Sequence, residues 1–522
     1  HAPRIAHHNP PHDGDRRYIQ FSSPMQLKDT YDVVIIGSGA GGGTVADVLS
    51  REDPSADILV LEGGPLWTHD RYNERERDMA RLYFSRGAVF SKQLNVGVAA
   101  ASAVGGSTVV YTGVSFRPPE SIVTKWRERY GLDFLTPDDV DTTLDAIEED
   151  INVHALGRDW DNDNNRLFKE GCDALGIPAK RLRLNLRGCE ELGFCNLGCR
   201  VGAKQGTLEV QLPRAQERGA AIVHNAWVER IGRHHAEFTV REPPPRTEPN
   251  VVPEGEHRVA ADRILVACGA LHTPALLQRS ADLLRLDNAN LGRYVTLHPA
   301  YNVNGIYPEP ITNDRGFPKT WYVDEYSESE GYYLETSFYF PGVTAKNQPG
   351  FGADHERFMR KYEQMMSMLI LAHDPAEPHN RITIDRDGRP VLDYTVAPEV
   401  KTSLVKALRR AARIFFAAGC TETKLPGSTK PTLTREDKPD LERLVTEDTL
   451  RFAKSPLSSA HPQGGARMGA DPTESVVAPD GRLHGVDSVF VADASLFPTS
   501  SHVNPYETVM LLATHVAESV AR

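Results

Sequence analysis

The residue types best suited to chemistry open with glycines. Gly37-Ser38-Gly39-Ala40-Gly41-Gly42 is followed by Glu62. At this spacing Gly37 allows a tight turn, Gly39 lets a pyrophosphate approach the backbone, and Gly42 lets a helix pack closely on a strand. An acid roughly 20 residues further on suits a ribose hydroxyl. A second concentration is Cys189, Cys195 and Cys199, three of the six cysteines (with Cys172, Cys268 and Cys420) within one short stretch. Their C-x5-C-x3-C spacing puts three thiols within reach of one point if the loop folds back. Reduced thiols in a packed loop, one disulfide, or zinc with a fourth ligand from elsewhere all fit that spacing.

The elements that must position these residues are legible around them. Tyr31 to Ile36 is an apolar, β-branched run of the kind buried on both faces of a parallel sheet. It runs into the glycines, and Thr44 to Leu49 then takes up helical spacing. The helix N-terminus offers free N–H groups and partial positive charge to phosphates. A second strand, Asp57 to Leu61, ends at Glu62. Further apolar strands are expected at Arg263 to Ala267 and Ser488 to Ala492, with a helix beginning at Pro274 and a C-terminal helix over Thr508 to Ala521. The nucleotide-binding sheet is therefore drawn from both ends of the chain.

In this order the motifs resemble the glucose–methanol–choline (GMC) oxidoreductases, FAD enzymes that oxidise alcohols. The likeness runs through Gly105-Gly106-Ser107-Thr108, Gly269-Ala270 to Leu277, Gly292-Arg293 and His298-Pro299. It is most specific at His461-Pro462-Gln463-Gly464-Gly465-Ala466-Arg467-Met468-Gly469, Gly485-Val486, Asp493-Ala494-Ser495 and Asn504-Pro505. The wording is most similar to cholesterol-oxidase-like and long-chain-alcohol-oxidase-like branches. The resemblance implies an α/β fold: a Rossmann-like FAD-binding domain whose parallel sheet is assembled from discontinuous segments, with an α+β, antiparallel-sheet substrate domain. It places the ADP half of FAD on Gly37, Gly39, Gly42 and Glu62, the flavin against Gly105, Gly106 and Ser107, and the adenine at the backbone of Val228. Asp493, Ala494, Asn504, Pro505 and Thr508 lie along the pyrophosphate and isoalloxazine. Tyr111 stands where many members have Asn. Val110 stands where members with covalent FAD carry His, so non-covalent FAD is expected.

By the same resemblance His461 is the catalytic acid/base and Asn504 the hydrogen-bond donor to the alcohol. Taken alone, one His among 19 would be an ordinary residue; the motif singles it out. An imidazole exchanges protons near neutral pH, and an amide orients an oxygen without titrating. His502 reads as a neighbour and His298 as structural. The family likeness also adds a 3Fe–4S cluster to the readings of the three cysteines, which would pass electrons to a protein partner; without it, oxygen or a soluble acceptor such as a quinone is expected. A few similar proteins cleave hydroxynitriles without redox chemistry, the minor alternative.

The remainder divides by composition and pattern. Residues 1–29 read as an N-terminal arm; 30–118, 200–299 and 456–522 as the FAD-binding domain; 119–199 as a cap or insert with the cysteine-rich loop; 300–455 as the substrate-binding domain. Within the last, Gly331 to Phe340 alternates and is rich in aromatics. Arg381 to Tyr394 reads as a hairpin turning at Asp387-Gly388, and Glu399 to Ala418 as an amphipathic helix ended by Gly419. The aromatics and the cluster Met359, Met365, Met366 and Met368 favour an apolar or aromatic alcohol. At 522 residues, 40% hydrophobic and 25% charged, the chain has globular composition. A net charge of −12 spread along it argues against nucleic acid. No run of about 18 apolar residues suggests a membrane span, so a soluble protein is expected, cytoplasmic or exported.

Overall fold

The structure is a computed structural model that describes Ile19 and residues 24–522. The expected N-terminal arm falls mostly outside these residues.

The strand Thr30–Ile36 lies at the centre of a parallel array. Ile58–Leu61 flanks it on one side and the end of Gly255–Val266 on the other. Ala221–Val223 extends the array beyond the first and Val486–Val491 beyond the second. All four residues of Ile58–Leu61 are buried, as a strand covered on both faces requires. The helix Ala40–Glu52 packs against the C-terminal helix Tyr506–Ala521. Their closeness to the sheet depends on glycine: a Cβ at Gly41 would sit 1.8 Å from the Ala492 carbonyl oxygen, and one at Gly42 1.9 Å from that of Gly37.

Two expectations need correction. The strand expected from Arg263 to Ala267 begins at Gly255. Its first half pairs antiparallel with His235–Val240, which pairs with Ala226–Ile231. Those early residues face solvent on one side, so they lack the continuous apolar run of the buried half. The helix expected to begin at Pro274 spans Gly269–Arg279, with Pro274 inside. It starts earlier because the Asp493 carboxylate accepts the Gly269 N–H at 2.8 Å.

A second, antiparallel sheet stands over the first. Its centre is Ala300–Ile306, Met365–Ala372 and Tyr332–Thr336, in that order. Register fixes what each face carries, because alternate residues point to opposite sides. One row across the inner face is Ala300, Leu371 and Tyr333; the next is Asn302, Leu369 and Glu335. The outer face packs Val303, Met366, Met368, Ile370 and Leu334 against the helix Pro398–Ala417. The methionines thus belong to core. The hairpin forms from Arg381–Ile384 and Pro390–Asp393, with Gly388 at φ +73° in its turn.

Candidate active site

A single cavity of about 800 Å³ runs from the first glycine turn to His461 and Asn504. Gly37, Gly39, Glu62, Gly106, Ser107, Val228, Asp493, Ala494 and Pro505 also line it; Gly42, Gly105 and Thr508 stand behind. At the glycine end, the helix Ala40–Glu52 has no side-chain cap and no acid in its first turn. Its N–H groups are left for an anion. Gly106, at φ +54°, presses against Gly39, where its Cβ would come within 2.6 Å of the Gly39 Cα. The two glycine segments, far apart in sequence, form one bare backbone cradle. Ser38 ties them together: its hydroxyl donates to Glu62 Oε2 at 2.6 Å and accepts the Gly105 N–H at 3.0 Å.

Glu62 also accepts the Ser38 N–H at 3.0 Å and the Gly64 N–H at 2.7 Å. Burial pushes its carboxyl pKa up, against these hydrogen bonds. Asp493 spends its carboxylate inside the protein as well, on Gly269, Thr273 and the Ser495 N–H. The Val228 carbonyl accepts from Arg279 at 3.3 Å. Val110 lines the cavity and offers no nucleophile. The Tyr111 hydroxyl accepts from Asn185 at 2.5 Å, and its ring meets Tyr506 edge-on at 5.1 Å.

At the far end, the backbone holds His461. Its N–H donates to Ser459 Oγ at 3.1 Å, and its carbonyl accepts from Gln463 at 3.3 Å. The ring nitrogen Nδ1 is buried without a partner. Burial, reinforced by the positive charge of Lys319, pushes its pKa down to about 3. The imidazole is therefore neutral near pH 7, the form with a lone pair for a proton, and burial makes it a weaker base than a free imidazole. Asn504 is oriented by Tyr333, whose hydroxyl donates to Asn504 Oδ1 at 2.7 Å. With Oδ1 taken, the amide presents its Nδ2 donors elsewhere. Nothing in the sequence around Tyr333 marks this link, which depends on the register of the roof sheet. His298 meets His461 edge-on at 5.5 Å and bonds Ser500 Oγ through Nε2 at 2.6 Å. His502 stacks on His373 at 4.0 Å.

The three cysteines converge on one small cavity that they share with Phe194 and Phe317. All are free thiols. Burial pushes the Cys189 and Cys195 pKa values up, which keeps both protonated. Among the described residues no three His, Cys, Asp or Glu side chains are placed to hold a metal ion. The packed-loop reading therefore fits the geometry. What anchors the loop is Lys204, buried and missed by sequence reasoning. Its ammonium donates to the carbonyls of Val109, Tyr111 (3.0 Å) and Cys195 (2.7 Å), tying the cysteine loop to the second glycine segment. Asn196 and Leu197, from this loop, line the large cavity.

A bare glycine cradle at a helix N-terminus, opening into a cavity that ends at a neutral histidine and a fixed amide, suits a dinucleotide-cofactor oxidoreductase. The chain belongs to the GMC oxidoreductase family: the N-terminal family model matches residues 56–300 and the C-terminal one residues 376–513. It is accordingly an FAD-dependent oxidoreductase. An uncharacterized GMC-type oxidoreductase of Mycobacterium tuberculosis is 33% identical over 497 residues, 93% of this chain and 75% of the relative. A long-chain-alcohol oxidase of Arabidopsis thaliana is 30% identical over 513 residues, 94% and 68% of the two chains. Among solved structures, pyridoxine 4-oxidase from Mesorbium loti superposes with a TM-score of 0.71 at 20% identity, covering 94% of this chain and 98% of that one. A formate oxidase variant from Aspergillus oryzae gives 0.71 at 14%, covering 95% and 99%. No helix among the described residues is long and apolar enough to cross a membrane.

Proposed function

We propose that the protein oxidises an alcohol to an aldehyde or ketone. Gly37, Gly39, Glu62, Gly106, Ser107, Asp493, Ala494 and Pro505 would hold FAD, in the same cavity as His461 and Asn504. Bound FAD supplies the hydride acceptor. The alcohol loses one hydride from its carbinol carbon and one proton from its hydroxyl. His461 takes the proton on Nε2, the nitrogen left to the cavity once Nδ1 is buried. Asn504 Nδ2 donates to the substrate oxygen, and the Tyr333 hydrogen bond holds it in that orientation. The carrying observation is this pairing: a neutral base and a fixed donor line one cavity. The relatives named as a long-chain-alcohol oxidase and a pyridoxine 4-oxidase support an alcohol donor and oxygen as acceptor. Segments 30–118, 200–299 and 456–522 act as the FAD-binding part and 300–455 as the substrate-binding part, with FAD held non-covalently at Val110. The test is anaerobic reduction of the bound FAD by alcohols. Bleaching of its visible absorbance by a simple alcohol supports the reading, and no bleaching by any alcohol refutes it.

A further inference from the structure

The roof of the cavity carries polar groups that the alcohol chemistry does not use. Asn302 is 3% exposed and lines the cavity, yet neither its Oδ1 nor its Nδ2 has a hydrogen-bond partner. A buried amide with both ends unpaired is costly, by comparison with the usual satisfaction of such groups. Across the same row of the sheet, separated from it by Leu369, stands Glu335, which is fully buried. It pairs with Lys319, itself 5% exposed and lining the cavity. Lys319 has three N–H donors; Glu335 takes one. The pair is net neutral, although the Lys319 charge is still felt at His461, so the wall carries no net charge to attract a carboxylate or an amine. It presents neutral donors and acceptors.

Position along the roof then gives a distance. Tyr333, which fixes Asn504, belongs to the row containing Ala300. Asn302 is two residues further along Ala300's strand, about 7 Å at the rise of an extended chain, and two strands across from Tyr333, about 10 Å more. Between the rows the lining is apolar, from Ala300, Leu369 and Leu371.

Building on the alcohol-oxidation reading, we infer that Asn302 and the neighbouring Lys319–Glu335 pair form a subsite for a second hydroxyl, so that the substrate is a diol or polyol. A hydroxyl both donates and accepts. It can give its proton to Asn302 Oδ1 and receive one from Asn302 Nδ2 or Lys319 Nζ. With the reacting carbinol at Asn504, the Lys319–Glu335 pair lies about 7 Å along Tyr333's own strand, and Asn302, two strands across as well as two residues along, lies about 12 Å away on the diagonal, a reach of roughly four to ten carbons. An apolar or aromatic alcohol would leave these polar groups unused, and Met366 and Met368, which suggested one, lie in the core behind the sheet.

The experiment uses the FAD-loaded protein and matched pairs of alkan-1-ols and α,ω-alkanediols of about four to ten carbons. Flavin reduction is followed anaerobically for its rate and its substrate dissociation constant. At least one diol should exceed its monool in rate over dissociation constant by about tenfold or more, well beyond the twofold statistical advantage of two equivalent carbinols. In Asn302→Leu that preference should collapse to twofold or reverse, because the second hydroxyl would then be buried unpaired. Asn302→Asp, which keeps the shape and an acceptor, should retain part of it. If monools bleach the flavin and no diol is preferred, or if Asn302→Leu leaves the ratio unchanged, the subsite is refuted while alcohol oxidation stands. An Asn302→Leu protein that loses FAD or shifts the flavin spectrum at an unchanged ratio would assign Asn302 to the cofactor and overturn the inference. If no alcohol of either kind bleaches the flavin, both readings fall.

Discussion

Replacing Tyr333 by Phe removes one oxygen atom and keeps the ring that packs near His373 and Phe116. That oxygen donates at 2.7 Å to Asn504 Oδ1 in a buried setting. Without it Oδ1 is left unpaired, at a cost of about 1–3 kcal/mol. The amide avoids this cost by turning, which points Oδ1 toward the substrate and removes the donor that orients it. The productive orientation is therefore penalised by up to that amount, so flavin reduction should slow by roughly 5- to 150-fold. FAD content should be unchanged, since Tyr333 lies over the reacting end of the cavity and not on the glycine cradle. The assay is anaerobic stopped-flow reduction of the bound flavin in four proteins: wild type, Tyr333→Phe, Asn504→Leu and the double variant. Tyr333→Phe should have little further effect once Asn504 is Leu, because its effect passes through that amide. Wild-type rates in Tyr333→Phe, or an equal loss with and without Asn504, would refute the positioning role.

Three further outcomes follow from the same geometry. The His461 pKa is lowered from about 6.5 to about 3, so its neutral form persists at every pH above that value; flavin reduction should therefore be flat from pH 8 to 5, and a fall near pH 6.5 that disappears in a His461 variant would contradict it. Gly106→Ala places a Cβ 2.6 Å from Gly39 Cα at φ +54° and should purify with substoichiometric FAD, whereas full occupancy would show that the two glycine segments need not touch. Lys204→Met leaves three buried carbonyls unpaired and should lower the thermal midpoint by several degrees and loosen FAD, for a loss of about 3–5 kcal/mol; an unchanged midpoint would mean that the cysteine loop does not rely on this lysine.

What could be read from the sequence was local. The strand before Gly37, the glycines and the helix after them are contiguous, and their spacing follows from the geometry of one turn. The amphipathic helix over Pro398–Ala417 and the hairpin turning at Gly388 are legible for the same reason. His461 and Asn504 came from family motifs and not from their own neighbourhoods. Groups set by pairing between distant strands stayed hidden. Tyr333, Glu335 and Asn302 share the cavity face only because three strands adopt one register, and a shift of one residue would turn them into the core behind. Lys204 looked like any other lysine until its three carbonyl partners, from two separate loops, surrounded it. The polar first half of Gly255–Val266 masked a strand twice the expected length.

The central claim is alcohol oxidation through His461. Its most direct test is anaerobic mixing of FAD-loaded protein with a panel of primary and secondary alcohols, in wild type and His461→Ala. At least one alcohol should bleach the wild-type flavin, and His461→Ala, with FAD retained, should be reduced roughly 10²-fold more slowly or worse, as for a lost acid/base group. A wild-type flavin that no alcohol reduces, or a His461→Ala protein reduced at the wild-type rate, would contradict it.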